Sequence, residues 1–164
     1  MATQLKNLSD FSGTTIPSAA SFSFAIIAAE WNTEVTLALY NSAYQSLVDN
    51  GALPDNIQSH WVPGSFELTA AADMVLKATK VDAVICLGCV IQGETRHFDF
   101  ICNAVANGLS NVAVKYTKPV IFGVLTPDNQ QQALDRAGGK HGNKGTEAAV
   151  TAIKMAELGK TLGT

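Results

Sequence analysis

Val81-Asp-Ala-Val-Ile-Cys-Leu-Gly-Cys-Val-Ile-Gln-Gly-Glu-Thr-Arg-His-Phe-Asp-Phe100 sets an apolar strand against a glycine turn and then a polar, ionisable helix start. From Val81 to Ile91 the run is almost wholly apolar apart from Asp82, the pattern of a strand buried on both faces of a parallel sheet. Gly93 breaks it, and Thr95 is placed to cap a helix. The free N–H groups of that first turn, with the positive end of the helix dipole, would make an anion pocket at the carboxyl edge of the sheet. His97 falls in the same turn, beside the pocket.

The flanking segments extend the same rhythm. β-rich apolar runs at Phe22 to Ala29, Ile57 to Val62, Asp82 to Ile91 and Pro119 to Leu125 alternate with helical patterns at Thr33 to Val48, Phe66 to Thr79 and Thr95 to Val114. Leu39, Tyr40, Tyr44, Leu47 and Val48 recur at helical spacing, as do Leu68, Ala71, Ala72 and Val75. The order predicts an α/β fold, three layers deep, with helices on both faces of a four-stranded, mainly parallel sheet. After the last strand, Thr126 as N-cap and Pro127 at the first helical position predict a short helix from about Pro127 to Arg136. Ala137-Gly-Gly-Lys-His-Gly-Asn-Lys-Gly145 then reads as a glycine-dense loop before an Ala-rich last helix, and lacks the Gly-Lys-Ser/Thr ending of a phosphate-binding P-loop. Residues 1–20, rich in Ser and Thr, read as an arm, leaving 21–164 as one domain.

Composition narrows the functional classes. A chain of 164 residues, 47% apolar and 15% charged, fills one core rather than two. The net charge of −3 without a basic cluster argues against nucleic acid. No apolar segment reaches the roughly 20 residues that span a bilayer, and the first residues lack a signal-peptide core, so a cytoplasmic location is expected. Of three cysteines, Cys86 and Cys89 form a Cys-x-x-Cys, but on a strand their side chains point to opposite faces and share neither a metal nor a bond. Cys102, on the following helix, reads likewise as a small packing residue.

Three further loops share the carboxyl edge with the Gly93 turn: Glu30-Trp31-Asn32, Pro63-Gly-Ser-Phe-Glu67 and Thr126-Pro-Asp128. Trp31 offers a flat face to a planar ring, although packing at a strand end is the commoner fate of such a residue. Glu67 can accept hydrogen bonds from hydroxyls, or simply sit at a helix N-terminus. His97 can exchange protons near neutral pH, or be an exposed first-turn histidine. Arg136 can clamp a phosphate, or lie near the dipole of a short helix. Their convergence on one edge is what points to a site.

Four blocks then become recognisable: Val62-Pro-Gly-Ser-Phe-Glu-Leu68, Gly88 to Phe100, Pro119-Val-Ile-Phe-Gly-Val-Leu-Thr126 and Gln132-Ala-Leu-Asp-Arg-Ala-Gly-Gly-Lys-His-Gly-Asn-Lys-Gly145. In order and spacing, from about Phe22 onward, the chain resembles the 6,7-dimethyl-8-ribityllumazine synthases of riboflavin biosynthesis. The resemblance implies a flavodoxin-like fold and, with neither cofactor nor metal, the condensation of 5-amino-6-(D-ribitylamino)uracil with 3,4-dihydroxy-2-butanone 4-phosphate, releasing phosphate and water. It implies that Trp31, where many members carry Phe, stacks on the pyrimidine, with Asn32 beside it. Ser65, Phe66 and Glu67 would hold the ribityl chain and ring edge, and Cys89, Val90 and Ile91 would present backbone groups to the pyrimidine. Glu94, through its backbone with the carboxylate turned away, Thr95 and Arg136 match the phosphate site, and His97 matches the proton donor.

Phe122, Arg136 and Lys144 are implied to reach the site of a neighbouring subunit. The family builds pentamers, some of them assembled twelvefold into an icosahedral shell, and its N-terminal arm adds a strand to a neighbour's sheet. A pentamer-based assembly is therefore expected, and the lack of an insertion in Gly138 to Lys144 favours the shell. The main alternative is a non-catalytic flavin- or lumazine-binding or shell-forming protein on the same scaffold, in which His97, Thr95 and Arg136 would be unnecessary. A signalling receiver of similar fold would need a phosphorylatable Asp at the end of the third strand, where this chain has Gly88 and Ile91.

Overall fold

The apolar runs become four strands: β1 (Phe24–Ala29), β2 (Ile57–Val62), β3 (Ala83–Cys89) and β4 (Val120–Leu125). A computed structural model describes residues 7–163. The sheet order is β2-β1-β3-β4 and every pairing is parallel. The two central strands, β1 and β3, are buried at every residue, whereas the edge strand β2 alternates, as one open flank requires. The chain first moves outward from β1 to β2, then crosses back to β3, so the strand order reverses between β1 and β3. Such a switch point opens a crevice at the carboxyl ends of the strands.

Two helix layers cover the sheet. Helices α1 (Thr33–Asp49) and α5 (Lys144–Leu162) pack Leu39, Leu47, Ala149 and Ile153 on the face carrying Phe24, Ile26, Ile85 and Leu87. Helices α2 (Leu68–Ala78) and α3 (His97–Tyr116) pack Leu68, Ala72, Val105 and Leu109 on the face carrying Ile27, Val84, Cys86 and Val124. Cys86 and Cys89 therefore lie in opposite layers, as strand alternation dictates, and all three cysteines are unbridged. Across the second layer, Asp73 of α2 accepts hydrogen bonds from Lys77, Lys115 and the Tyr116 hydroxyl, joining α2 to α3.

Local boundaries depart from the sequence reading in informative ways. Helix α3 starts at His97 rather than Thr95, whose hydroxyl still accepts the His97 N–H at 3.4 Å. Ahead of α2, Ser65–Glu67 form a 3-10 turn instead of the first α-helical residues. The short helix α4 is Gln130–Asp135, capped by Asn129, whose side chain accepts the Gln132 N–H at 3.0 Å. Thr126 and Pro127 do not start it, because the Pro127 carbonyl is held by the Gln92 N–H at 2.9 Å, which ties that segment to the β3–α3 connection. The glycine-dense segment is not a plain loop but a small antiparallel hairpin, β5 (Ala137–Gly139) and β6 (Gly142–Asn143). Gly142, at φ 84°, supplies the left-handed backbone at its turn.

Of the arm expected over residues 1–20, residues 1–6 lie outside the described residues. Residues 7–23 contain no helix or strand. The Leu8 N–H bonds the His141 carbonyl, the Ser9 hydroxyl exchanges bonds with the Asn143 backbone, and Ala19 and Phe22 enter the core. No helix among the described residues is long and apolar enough to cross a membrane.

Candidate functional site

The carboxyl ends of β1, β2 and β3 meet in a cleft of about 500 Å³. Its first wall is the β1–α1 corner. Trp31 stands there 74% exposed, a large apolar face with little packed against it. Next to it Asn32 adopts the left-handed conformation (φ 59°, ψ 46°), one that Asn tolerates better than most residues. Its side chain donates to the Cys89 carbonyl at 2.8 Å, while the N–H groups of Glu30 and Trp31 donate to the carbonyls of Val62 and Pro63 at 2.8 and 3.2 Å. The corner is thus tied to both neighbouring strand ends.

The second wall is the turn after β2. Ser65 is buried, and Phe66 (55% exposed) and Glu67 face the opening. This turn lies flush on β3 because Gly88 has no side chain: a Cβ there would stand 2.5 Å from the Ser65 Oγ and 3.2 Å from Leu68 Cδ1. The floor is the end of β3, Cys89, Val90 and Ile91. Burial pushes the Cys89 thiol up to about 11, so it is a protonated packing group rather than a nucleophile. The Val90 N–H is spent on the Leu125 carbonyl. His97, the first residue of α3, closes the mouth with Ile101 one turn further on.

Of the predicted site residues, Trp31, Asn32, Ser65, Phe66, Glu67, Cys89, Val90, Ile91 and His97 are brought together in this cleft. Five others are not among its lining residues. Glu94 and Thr95 lie in the exposed turn between β3 and α3. Phe122, on the edge strand β4, is directed to the α3 side and 38% exposed. Arg136 donates to the His141 carbonyl at 2.7 Å and to Glu147 at 2.6 Å, and Lys144 donates to the other oxygen of Glu147 at 3.3 Å. One largely buried carboxylate thus orients two cations next to the β5–β6 hairpin. The neighbouring Asp135 is held below the ordinary carboxylate range by hydrogen bonds from Gln131 and Lys140.

Two contributors escaped the reading of the sequence. Ile101 lines the cleft and was detectable as the residue four beyond His97 on one helix face. Glu147 was legible only as an i,i+3 partner of Lys144, and its link to Arg136 spans a hairpin that periodicity does not reveal. The cleft combines an aromatic plate, a carboxylate, backbone groups and an imidazole. That set can stack a planar heterocycle, accept its hydroxyl hydrogen bonds and move protons. Among the described residues no cluster of His, Cys, Asp or Glu could hold a metal ion.

Residues 21–160 match the model of the family described as 6,7-dimethyl-8-ribityllumazine synthase. A protein of that name from Cytophaga hutchinsonii is 59% identical over 155 residues, covering 94% of this chain and 97% of the relative. One from Flavobacterium johnsoniae is 53% identical over 158 residues, 96% of this chain and 83% of the relative. One from Parabacteroides distasonis is 48% identical over 155 residues, 94% and 97% of the two chains.

Proposed function

This chain belongs to the 6,7-dimethyl-8-ribityllumazine synthase family, and from that premise we propose that it is a transferase of riboflavin biosynthesis that condenses 5-amino-6-(D-ribitylamino)uracil with 3,4-dihydroxy-2-butanone 4-phosphate. The observation that carries the reading is the convergence of Trp31, Glu67, the β3 end and His97 in one cleft. The indole takes the pyrimidine face, Glu67 the ribityl hydroxyls, and the backbone of Val90 and Ile91 the ring edge. The 5-amino group attacks the ketone and loses water to give an imine, phosphate is eliminated, and enolisation precedes ring closure with loss of a second water. His97 exchanges protons through these steps, as an imidazole does near neutral pH. Much of the acceleration comes from holding two substrates together, so removal of His97 lowers the rate without abolishing it.

Glu94, through its backbone, and Thr95 cradle the phosphate at the start of α3. Arg136, Lys144 and Phe122 act on the cleft of an adjacent subunit, in a pentamer or a shell built from pentamers. Two features support this reading. The three residues do not line their own chain's cleft, and Phe66, Phe100, Val114, Phe122 and Leu162 leave large apolar surfaces exposed on a single chain. Residues 1–20 form the arm of such an assembly and 21–164 its domain, in the cytoplasm.

Mixing purified protein with both substrates and following lumazine absorbance tests the reading. Formation well above the uncatalysed background, collapsing in Arg136→Ala, is expected. Background rate alone, with riboflavin still quenching Trp31 fluorescence, would favour a binding protein instead. Sedimentation of the same sample separates pentamer from shell.

A further inference from the structure

We propose that Asn32 is a positioning residue: its carboxamide holds the Trp31 plate and the β3 end as one wall. Its substrate-level consequences rest on the synthase reading above. Asn32 occupies the N-cap position of α1, where an Asn side chain ordinarily accepts a hydrogen bond from the helix's first turn. Here it makes no such cap. The left-handed backbone at φ 59° turns the side chain across the sheet edge, where Nδ2 donates to the Cys89 carbonyl at 2.8 Å. The Asn32 carbonyl meanwhile accepts from Val35 at 2.9 Å and Thr36 at 3.0 Å, so α1 starts without help from the side chain.

The placement matters because Trp31 has little else to hold it. Its ring is 74% exposed and its backbone is fastened on the β2 side only, through the Glu30 and Trp31 N–H bonds. The Asn32 carboxamide is the fastening on the β3 side. Without it, the corner is hinged on one flank and the plate can swing relative to the floor that reads the ring edge. The same bond takes one of the two acceptor positions of the Cys89 carbonyl. The Val90 carbonyl and the Ile91 N–H, which have no backbone partner among the described residues, remain open to the ring edge.

The test uses the full chain carrying Trp61→Phe, which leaves Trp31 as the sole indole of the two in the sequence. Into it go Asn32→Gly, which keeps the left-handed backbone and deletes the carboxamide, and Asn32→Asp, which keeps the shape and sets a carboxylate against a carbonyl. Expected in both are a fall in ligand-free Trp31 fluorescence anisotropy and a KM for the uracil substrate raised about tenfold. The KM for the butanone phosphate stays within about twofold, and kcat within about threefold, of the parent. A raised KM with unchanged anisotropy would mean that Asn32 touches substrate directly, and would overturn the proposal. So would unchanged KM, whatever the anisotropy. If the parent forms no lumazine at all, the synthase reading fails by itself, and the anisotropy alone then decides whether Asn32 braces Trp31.

Discussion

Replacing Gly88 with Ala should loosen the turn that carries Ser65, Phe66 and Glu67. The added Cβ would stand 2.5 Å from the Ser65 Oγ and 3.2 Å from both the Ser65 Cβ and Leu68 Cδ1. Ser65 is buried at the head of the 3-10 turn, so relief requires its hydroxyl to leave the present rotamer and the Ser65 Cβ and Leu68 to give way in a packed site. Overpacking of this kind costs about 1–3 kcal/mol, offset by about 0.5–1 kcal/mol from removing a glycine from a strand. The midpoints of the two ranges leave a net loss of about 1.2 kcal/mol, which lowers Tm by roughly 2–5 °C for a chain of this size. Thermal unfolding at matched protein concentration reads it, since association also moves Tm. Adding Ser65→Ala removes the closest contact and should recover at least half of the loss, whereas independent sites would simply add. A Gly88→Ala Tm within about 1 °C of the parent, or strict additivity in the double variant, would refute the claim that β3 and the turn are fitted to each other through that missing side chain.

Asp73 is held well below its ordinary 3.8 by hydrogen bonds from Lys115, Lys77 and Tyr116. Such a lowered carboxylate contributes stability that is present above the unfolded value and lost as pH falls through the folded one. Urea midpoints should therefore fall below about pH 4, and fall less steeply in Asp73→Asn. Its partner Lys115 is raised by the same bond, so this contribution is present below the ordinary 10.5 and is lost above it, as a urea series in alkaline buffer would record. Gly145→Ala should cost about 3 kcal/mol or more, because its Cβ would lie 2.0 Å from the Leu39 carbonyl oxygen and no side-chain rotation relieves a backbone clash; loss of soluble folded protein or a sharply lower Tm checks it. The buried Cys89 thiol, pushed up to about 11, should resist iodoacetamide at pH 8 until the protein is unfolded, as mass spectrometry of labelled peptides would show.

Much of this architecture was legible in the chain because the central strands of a parallel sheet are buried on both faces. Ala83–Cys89 and Phe24–Ala29 can therefore be read from apolarity alone. Helices α1 and α2 declared themselves through Leu39 and Leu47, and through Leu68, Ala72 and Val75. Boundaries were less legible wherever two residues compete for one role. Thr126 and Asn129 are both good caps, and the choice was made by a distant partner, the Gln92 N–H on the Pro127 carbonyl. The β5–β6 hairpin, with strands of three and two residues, is too short to carry a period. At the site, residue types and their edge could be read, but not their bonds. That the Asn32 side chain serves Cys89, or that Arg136 and Lys144 share Glu147, depends on contacts between segments far apart in sequence.

The fastening of the β1–α1 corner to β2 runs entirely through main-chain atoms, the N–H groups of Glu30 and Trp31 on the carbonyls of Val62 and Pro63. A lattice of peptide groups is indifferent to what hangs from it. Side chains at positions 30 and 31 can therefore be exchanged over evolutionary time, or in a library, without dismantling the frame that presents them. Selection can retune the aromatic plate toward tighter or looser grip on a ring while the framework is inherited unaltered. Diversification of such a cleft would proceed by changing the furniture and keeping the room.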